Sequence, residues 1–273
     1  MALLLAMLML APISSANAQS TNDSFGIWAT VEASKKINKK FKVVADAELR
    51  TTNIVKEIER ATVGAKVEYK VLKWLKTNVG YSFMYTHKPQ TKNLKDPVYD
   101  EEENFVDYEY NIDHAYWTIR NRVYATVSGE CKIGRFELGL RERLQYTRTN
   151  SATTNETKHR YDLGEDPLFS TEDNKWIDTT EPELKEAKDN LTLRSRLSVK
   201  YDIPNCKVNP FASVELYTRL DEWLGYDKLR YRIGGSYKIN KKNSISLYYL
   251  YQSVNDDDEP GGHAIGLEYS IDL

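Results

Sequence analysis

The sequence has few of the residues that metal centres, disulfide scaffolds and histidine-based active sites require. Its 273 residues include only two cysteines and four histidines. Two cysteines are too few for a disulfide framework or a cysteine-based zinc finger. No His-x-x-x-His or Gly-x-Ser-x-Gly motif occurs in the chain. The sequence therefore predicts no catalytic residue, no bound metal and no cofactor, and a protein that is not an enzyme.

A surplus of positive charge is also missing. The chain has 38 basic and 40 acidic residues, for a net charge of −2. A protein that binds nucleic acid generally needs excess lysine and arginine to displace counterions from the phosphates. The charge balance therefore argues against a nucleic-acid partner.

Long apolar runs are limited to the N-terminus. Residues 2–12 are almost entirely apolar, and small residues follow at Ala16-Asn17-Ala18. This pattern is typical of a secretory signal peptide, and the run is too short to cross a bilayer as a helix. We therefore predict a cleaved signal peptide over residues 1–18 and a mature, exported chain over residues 19–273.

The rest of the sequence alternates between apolar and polar residues with the period of two that is typical of β-strands. Eleven candidate strands result, mostly 10 to 14 residues long. Ordinary strands average about 5 to 6 residues, whereas tilted membrane-spanning strands need about 9 to 11. The candidates cover residues 25–37, 41–50, 60–69, 75–85, 115–128, 136–147, 191–201, 210–219, 228–239, 244–252 and 263–273.

Short and long connections alternate between these strands. Turns of a few residues alternate with longer loops, of which residues 88–113 and 150–190 are the largest. Short turns on one side and long loops on the other are typical of outer-membrane barrels, which in bacterial single chains have an even number of strands. The sequence predicts an all-β, closed, antiparallel transmembrane β-barrel of about 10–12 strands in the bacterial outer membrane, with outer-membrane lipid around it.

Several stretches carry a resemblance to a known family. They are Phe25-Gly26-Ile27-Trp28 leading to Ala47-Glu48-Leu49-Arg50, the arginine pairs in residues 118–122 and 191–197, and the closing residues 263–269. Together they resemble the bacterial family called domain of unknown function 2490. The resemblance implies an outer-membrane barrel and supplies no activity.

The polar side of the strands is rich in positive charge. If the apolar side faces lipid, the inward positions hold sixteen basic and eight acidic residues. Three strands that follow one another in the predicted barrel each carry two arginines at i, i+2 spacing, which predicts one basic wall: Arg120, Arg122, Arg141, Arg143, Arg194 and Arg196. The predicted acidic partners are Asp46, Glu48, Glu68 and Glu137. Like charges opposite each other destabilise a sheet, so we expect either an ion-paired, plugged lumen with a structural role or a narrow porin-like pore that attracts small anions.

Three polar residues interrupt the apolar side of the same strands: Asn121, Glu142 and Ser195. One explanation is a β-bulge that shifts the register locally. The other is a protein–protein contact, which would make the barrel a homo-oligomer through this face.

Two further functions stay open at this point. One is an outer-membrane hydrolase at the barrel rim, where His87 and His114 lie on either side of the loop 88–113. The other is a soluble, secreted β-sandwich that binds carbohydrate. The pairing of Cys131 with Cys206, both at predicted periplasmic turns, is also open, because an exported protein can form disulfides.

Overall fold

The computed structural model describes residues 24–99, 104–161, 176–221, 225–255 and 261–273. Its described residues form fifteen β-strands. The predicted signal peptide, residues 1–18, lies outside the described residues. The strands are β1 (Ser24–Lys36), β2 (Phe41–Thr52), β3 (Glu57–Lys70), β4 (Leu75–Lys88), β5 (Thr91–Tyr99), β6 (Phe105–Asp113), β7 (Tyr116–Ile133), β8 (Phe136–Thr149), β9 (Ala152–Tyr161), β10 (Trp176–Lys185), β11 (Lys188–Tyr201), β12 (Val208–Arg219), β13 (Gly225–Lys238), β14 (Asn243–Val254) and β15 (Gly262–Asp272).

Eleven of the strands close into a barrel, which confirms the predicted all-β, closed barrel of about 10–12 strands. Their order around the barrel is β1-β15-β14-β13-β12-β11-β8-β7-β4-β3-β2. Neighbours are antiparallel except at the seam, where β1 and β15 pair in parallel from Ser24↔Gly262 to Ser34↔Asp272. With an odd number of up-and-down strands, the first and last run in the same direction, so closure requires one parallel pair.

The strands point their apolar residues outward. Val43, Val63, Leu140 and Leu247 lie on the outer surface and are 40%, 57%, 55% and 59% exposed. The alternate residues face the lumen, as in β2, where Val44 and Arg50 are buried. A two-sheet sandwich with an apolar interior, which was one of the alternatives, is therefore wrong.

Residues 88–113 and 150–190 were predicted to be loops, and this prediction is wrong. The strands β5, β6, β9 and β10 form a second sheet in the order β10-β9-β6-β5. The two hairpins join through pairs that run from Tyr110↔His159 to Asp113↔Glu156. Pro97 and Pro182 lie in the two edge strands, where the missing backbone donor is tolerated.

The two ends of the barrel differ. At one end, which we call the turn end, residues 37–40, 71–74, 134–135, 202–207 and 239–242 connect the strands. At the other, which we call the loop end, the second sheet continues from the barrel. His114, between β6 and β7, donates its backbone N–H to the carbonyl of Asn155 in β9 over 2.9 Å.

Side chains fill the middle of the lumen. Val44, Met84 and Leu250 are each 1% exposed. The rings of Tyr124 and Tyr248 lie on Gly80 and Gly266 of neighbouring strands. A Cβ at Gly266 would lie 1.9 Å from the Tyr248 ring, so glycine provides the space that the tyrosine occupies.

Cys131 and Cys206 are free and exposed at the turn end. No helix in the described ranges is long and apolar enough to cross a bilayer.

Candidate functional site

The six arginines of the predicted wall lie on the inward side of three adjacent strands, at two heights in the barrel. Arg194 and Arg196 of β11 are directly opposite Arg143 and Arg141 of β8. On β7, by contrast, Arg120 and Arg122 are opposite Thr149 and Thr147, nearer the loop end. The wall is therefore a central group of four arginines and a pair above it.

A single carboxylate compensates much of the central group. Glu215 of β12 is 1% exposed and faces Arg196 on one side and Arg230 on the other. Its carboxylate accepts hydrogen bonds from Arg141, from Arg194 over 3.1 and 3.2 Å, and from Arg196 over 3.0 Å. Arg230 Nη1 lies 3.7 Å from the same carboxylate. We call these five residues the Glu215 cluster.

Aromatic and polar side chains hold the other contacts of the wall. Arg194 lies over the ring of Tyr217, 4.4 Å from its centroid, and also donates to Gln145 over 3.2 Å. The Tyr217 hydroxyl donates to Glu215 over 3.2 Å. Arg143 lies 4.2 Å from the Tyr124 ring centroid. These contacts fix the orientation of the guanidinium groups.

Arg122 and Arg143 each donate from Nε to a threonine hydroxyl on the neighbouring strand. Arg122 reaches Thr147 and Arg143 reaches Thr126, both over 3.1 Å. Threonine hydroxyls therefore accept hydrogen bonds from two arginines of the wall.

The acidic residues predicted as partners lie elsewhere in the barrel. Glu48 pairs with Arg50 of its own strand over 2.7 Å, and Glu137 pairs with Lys132 at the turn end over 3.4 Å. Asp46 and Glu68 face inward and form no ion pair within the described part of the chain. Glu215 is one of the eight acidic residues at inward positions of the sequence, but it is not among the four predicted partners of the wall. Glu215 lies on the strand that follows Arg194 and Arg196 in the sequence, and this adjacency could have identified it as a partner of the wall.

Above the Glu215 cluster, an open cavity lies at the loop end of the lumen. Seven basic residues and one acidic residue, Asp227, are among the side chains that line it. The basic residues are Arg50, Arg60, Arg120, Arg122, Arg194, Lys228 and Arg230. We call this space the loop-end cavity.

Two aromatic rings organise the lining of the loop-end cavity. Arg50 lies 3.6 Å from the ring centroid of Trp28, and Arg230 lies 4.9 Å from the same ring. Lys228 lies 4.9 Å from the Tyr217 ring centroid. Each contact is a cation–π interaction, which is stronger where the cation is shielded from water.

The polar residues on the outer face bond within the chain. Ser195 donates to the Glu142 carboxylate over 2.6 Å, and Tyr81 donates to the Asn121 amide oxygen over 2.5 Å. The register runs without a shift through Asn121 and Glu142 and through Ser195. The β-bulge proposed as one explanation is therefore absent at these positions.

The four histidines make different contacts. His87 packs against Trp117, His114 bonds Thr157 over 2.8 Å, and the Tyr249 hydroxyl bonds His263. His159 stacks between Tyr110 and Trp176 at centroid distances of 4.3 and 4.5 Å. Each histidine thus has its own aromatic or hydroxyl neighbour.

One group of acids in the second sheet has the spacing of a metal site. Asp113, Glu156 and Glu183 bring one carboxylate oxygen each within 4.8 Å of one another. The ammonium of Lys185 lies in this group, 3.1 Å from Asp113 and 2.6 Å from Glu183. Burial acts to lower the pKa of Lys185, but hydrogen bonds to Glu183 and Asp113 outweigh it and the pKa is raised. Lys185 therefore supplies the cation that these acids need.

The sequence was compared with known protein families and with curated proteins. A family model described as "Protein of unknown function (DUF2490)" matches residues 25–261. This range includes the whole basic wall, Glu215 and the cations of the loop-end cavity. No curated protein matches the sequence significantly.

Proposed function

The chain belongs to the DUF2490 family of proteins of unknown function, and we propose that it is an integral β-barrel of the bacterial outer membrane with a closed lumen. In this proposal a signal peptide over residues 1–18 directs export and is removed. The barrel has a structural or binding role and is not an enzyme. The observation that carries the proposal is an apolar outer surface around a lumen packed with ion-paired side chains.

The dimensions of the outer surface support insertion into a bilayer. On β8, Phe136 near the turn end and Tyr146 near the loop end face outward and are 51% and 43% exposed. Ten residues at about 3.3 Å each, tilted by about 40°, span roughly 25 Å along the barrel axis. This is about the height of the apolar band of outer-membrane barrels. Aromatic pairs also mark the two ends, with Phe136–Tyr201 at the turn end and Tyr85–Trp117 at the loop end.

The contents of the lumen support closure. The Glu215 cluster draws side chains from β8, β11, β12 and β13 to one carboxylate. Barrels with eight strands are filled by side chains, and those with sixteen or more contain water-filled channels. An eleven-stranded barrel lies between these cases, so the side chains it carries decide whether it conducts. Val44, Met84 and Leu250 add apolar volume at positions where a channel would need water.

Two assays test the proposal. Samples of the folded protein, unheated and heated, are compared on a gel containing SDS, where a membrane barrel migrates differently in the two states. The protein is then reconstituted in planar bilayers. We expect heat-modifiable migration and no steady conductance. Identical migration of both samples would argue against a membrane barrel.

A narrow anion-selective pore is the second candidate, and the loop-end cavity favours it. A mouth lined by seven basic residues and one acidic residue raises the local concentration of anions. Steady single-channel currents with a preference for chloride over potassium would support this candidate and contradict closure. Cation preference would exclude it.

A homo-oligomer through Asn121, Glu142 and Ser195 stays a separate prediction. The bonds from Ser195 to Glu142 and from Tyr81 to Asn121 lower the cost of placing these groups against lipid, which favours a single chain. The mass of the detergent-extracted particle, measured by light scattering, distinguishes one chain from several. A particle with the mass of one chain would remove the oligomer.

A further inference from the structure

Two connections at the turn end of the barrel have the same five-residue sequence. Lys36-Ile37-Asn38-Lys39-Lys40 joins β1 to β2, and Lys238-Ile239-Asn240-Lys241-Lys242 joins β13 to β14. In each, the side-chain oxygen of the asparagine accepts the backbone N–H groups of the residues two and three places further on, over 2.8 to 2.9 Å. Asparagine and the backbone set the shape of such a turn. The turns therefore do not need the lysine side chains that both of them carry.

The two turns lie close together around the barrel. Only β15 separates β14 from β1, so the centres of the turns are about three strand spacings, or roughly 14 Å, apart. The end of β15 bonds to both sides, because Asp272 donates its backbone N–H to the Lys242 carbonyl and Leu273 donates to the Ser34 carbonyl, both over 2.8 Å. The two turns therefore form one continuous surface, which we call the lysine arc: Lys36, Lys39, Lys40, Lys238, Lys241 and Lys242.

The charges of the lysine arc are exposed and poorly compensated. All six residues are exposed, and none forms an ion pair within the part of the chain that the structure describes. Asp272 lies between the two turns, but it pairs with Lys42 of β2 over 3.5 Å and attracts Lys36 only at longer range. Lys40 donates to the uncharged hydroxyl of Tyr69 over 3.4 Å. The arc therefore presents positive charge to whatever surrounds the turn end.

Apolar side chains lie beside the lysines in both turns. Ile37 and Ile239 are 60% and 43% exposed, and Phe41 and Tyr237, which face outward at the adjoining strand ends, are 42% and 40% exposed. Aromatic residues at the edge of an apolar band are typical of a membrane interface. A lysine there can lay its methylene stem along apolar surface and keep its ammonium group among the headgroups. The arc thus continues the apolar outer surface, which suits a lipid headgroup better than a soluble acidic protein.

We propose that the lysine arc binds the phosphate groups of anionic phospholipids in the leaflet at the turn end. Clusters of about 4–8 basic residues beside a membrane-spanning segment attract anionic lipids. In the predicted orientation this is the periplasmic leaflet. The inference rests on the proposed function, in which the outer surface of the barrel lies in a bilayer.

Lipid titration of the folded barrel tests the proposal. The full mature chain in a non-ionic detergent is titrated with phosphatidylglycerol and, separately, with phosphatidylcholine, and the bound lipid is counted by native mass spectrometry. We expect phosphatidylglycerol to bind about fivefold or more tightly than phosphatidylcholine. This preference should shrink with increasing salt, because exposed charges are screened.

Variants of the two turns locate the site. One variant combines Lys39→Gln with Lys40→Gln, and another combines Lys241→Gln with Lys242→Gln. We expect each pair to weaken phosphatidylglycerol binding about fivefold or more, and all four substitutions together to remove the preference over phosphatidylcholine. Arginine at the same four positions keeps the charge and should retain the preference. Circular dichroism checks that each variant is folded.

The matched control removes two lysines at the other end of the protein. Lys56 lies in the connection between β2 and β3 at the loop end, Lys95 lies in β5 of the second sheet, and both are exposed. The combined variant Lys56→Gln, Lys95→Gln changes the net charge as much as either turn variant does. Because neither lysine belongs to the lysine arc, we expect it to change phosphatidylglycerol binding less than about twofold.

The outcomes separate this inference from the proposed function. Equal binding of the two lipids by the unmodified chain, or an equal loss in the control and the turn variants, would overturn the inference. If the same preparation still inserts into phosphatidylcholine bilayers, the proposed function stands although the inference fails; a chain that inserts into no bilayer would overturn both. A polyglutamate peptide that binds the barrel in phosphatidylcholine nanodiscs, and is lost in turn variants whose lipid preference is unchanged, would assign the lysine arc to an acidic protein and overturn the lipid as its partner.

Discussion

Replacing Glu215 with glutamine should destabilise the barrel more than any other single loss of charge in the lumen. The substitution keeps the shape of the side chain and one carbonyl acceptor but removes its negative charge. Three arginines then lose an ion pair at 3.2 Å or less, and Arg230 loses one at 3.7 Å. Arg141, Arg196, Glu215 and Arg230 lie opposite one another on four neighbouring strands. Without the carboxylate, the three arginines of this row would repel one another.

The expected magnitude follows from burial. Glu215 is 1% exposed and Arg230 is 3% exposed, so water cannot replace the lost partner without a rearrangement. Removing one member of a buried ion pair costs about 3–5 kcal/mol. With a urea dependence of about 2–3 kcal/mol/M, the unfolding midpoint should fall by roughly 1–2.5 M.

Urea unfolding of the barrel in lipid vesicles measures this effect, followed by tryptophan fluorescence and by the unheated gel. Glu137→Gln is the matched control. Its partner Lys132 lies 3.4 Å away at the turn end, and the two side chains are 36% and 76% exposed. An exposed pair of this kind contributes about 0–1 kcal/mol. Equal midpoints for the two variants would refute the assignment of Glu215 as the centre of the lumen.

Three other predictions concern packing, topology and pH. Gly266→Ala should lower the free energy of unfolding by about 1–3 kcal/mol through overpacking, because its Cβ would lie 1.9 Å from the Tyr248 ring. Gly129→Ala is the control and should change the urea midpoint little, because the nearest atom to its Cβ would be 3.8 Å away. Cys131 and Cys206 should both react with a maleimide in the folded protein. Because both lie at the turn end, which is predicted to face the periplasm, a membrane-impermeant maleimide should label them only after the cells are permeabilised. Labelling of intact cells would place the turn end outside the cell and reverse this topology. Because the pKa of Lys185 is raised above 10.5, its stabilising contacts in the second sheet are complete below pH 10.5 and are lost as the pH rises through the folded-state pKa. The protection of amides in β9 and β10, measured relative to the intrinsic base-catalysed exchange rate, should therefore fall only above about pH 10.5, and in Lys185→Met this pH step should disappear.

Much of the barrel could be predicted from the sequence because one side of each wall strand is apolar and the other polar. That contrast identified eleven strands, and the closed barrel has eleven. The second sheet had no such contrast. Every residue of β5 except Val98 is exposed, so alternation of hydrophobicity could not distinguish its strands from a loop.

The candidate site was harder to predict because it depends on register. The sequence placed Arg141, Arg143, Arg194 and Arg196 on one side of neighbouring strands but did not show which residues share a row. In the barrel, Glu215 falls in the row of Arg141, Arg196 and Arg230. The partners predicted from the sequence, among them Asp46 and Glu68, were predicted only from the inward side of their strands. Which inward residues lie opposite one another depends on the register, which the alternation of residues does not specify.

Spin-label accessibility shows whether the outer surface of the barrel contacts lipid, as the proposed function requires. Single cysteines are placed at Val63 and Leu140, which face outward, and at Ser82 and Thr126, which face the lumen and are 8% and 2% exposed, all in a Cys131→Ser, Cys206→Ser background. In bilayers, labels at Val63 and Leu140 should collide with dissolved oxygen and be protected from a water-soluble nickel complex. Labels at Ser82 and Thr126 should be protected from both. Strong collision of the Val63 and Leu140 labels with the nickel complex would contradict a membrane-spanning barrel.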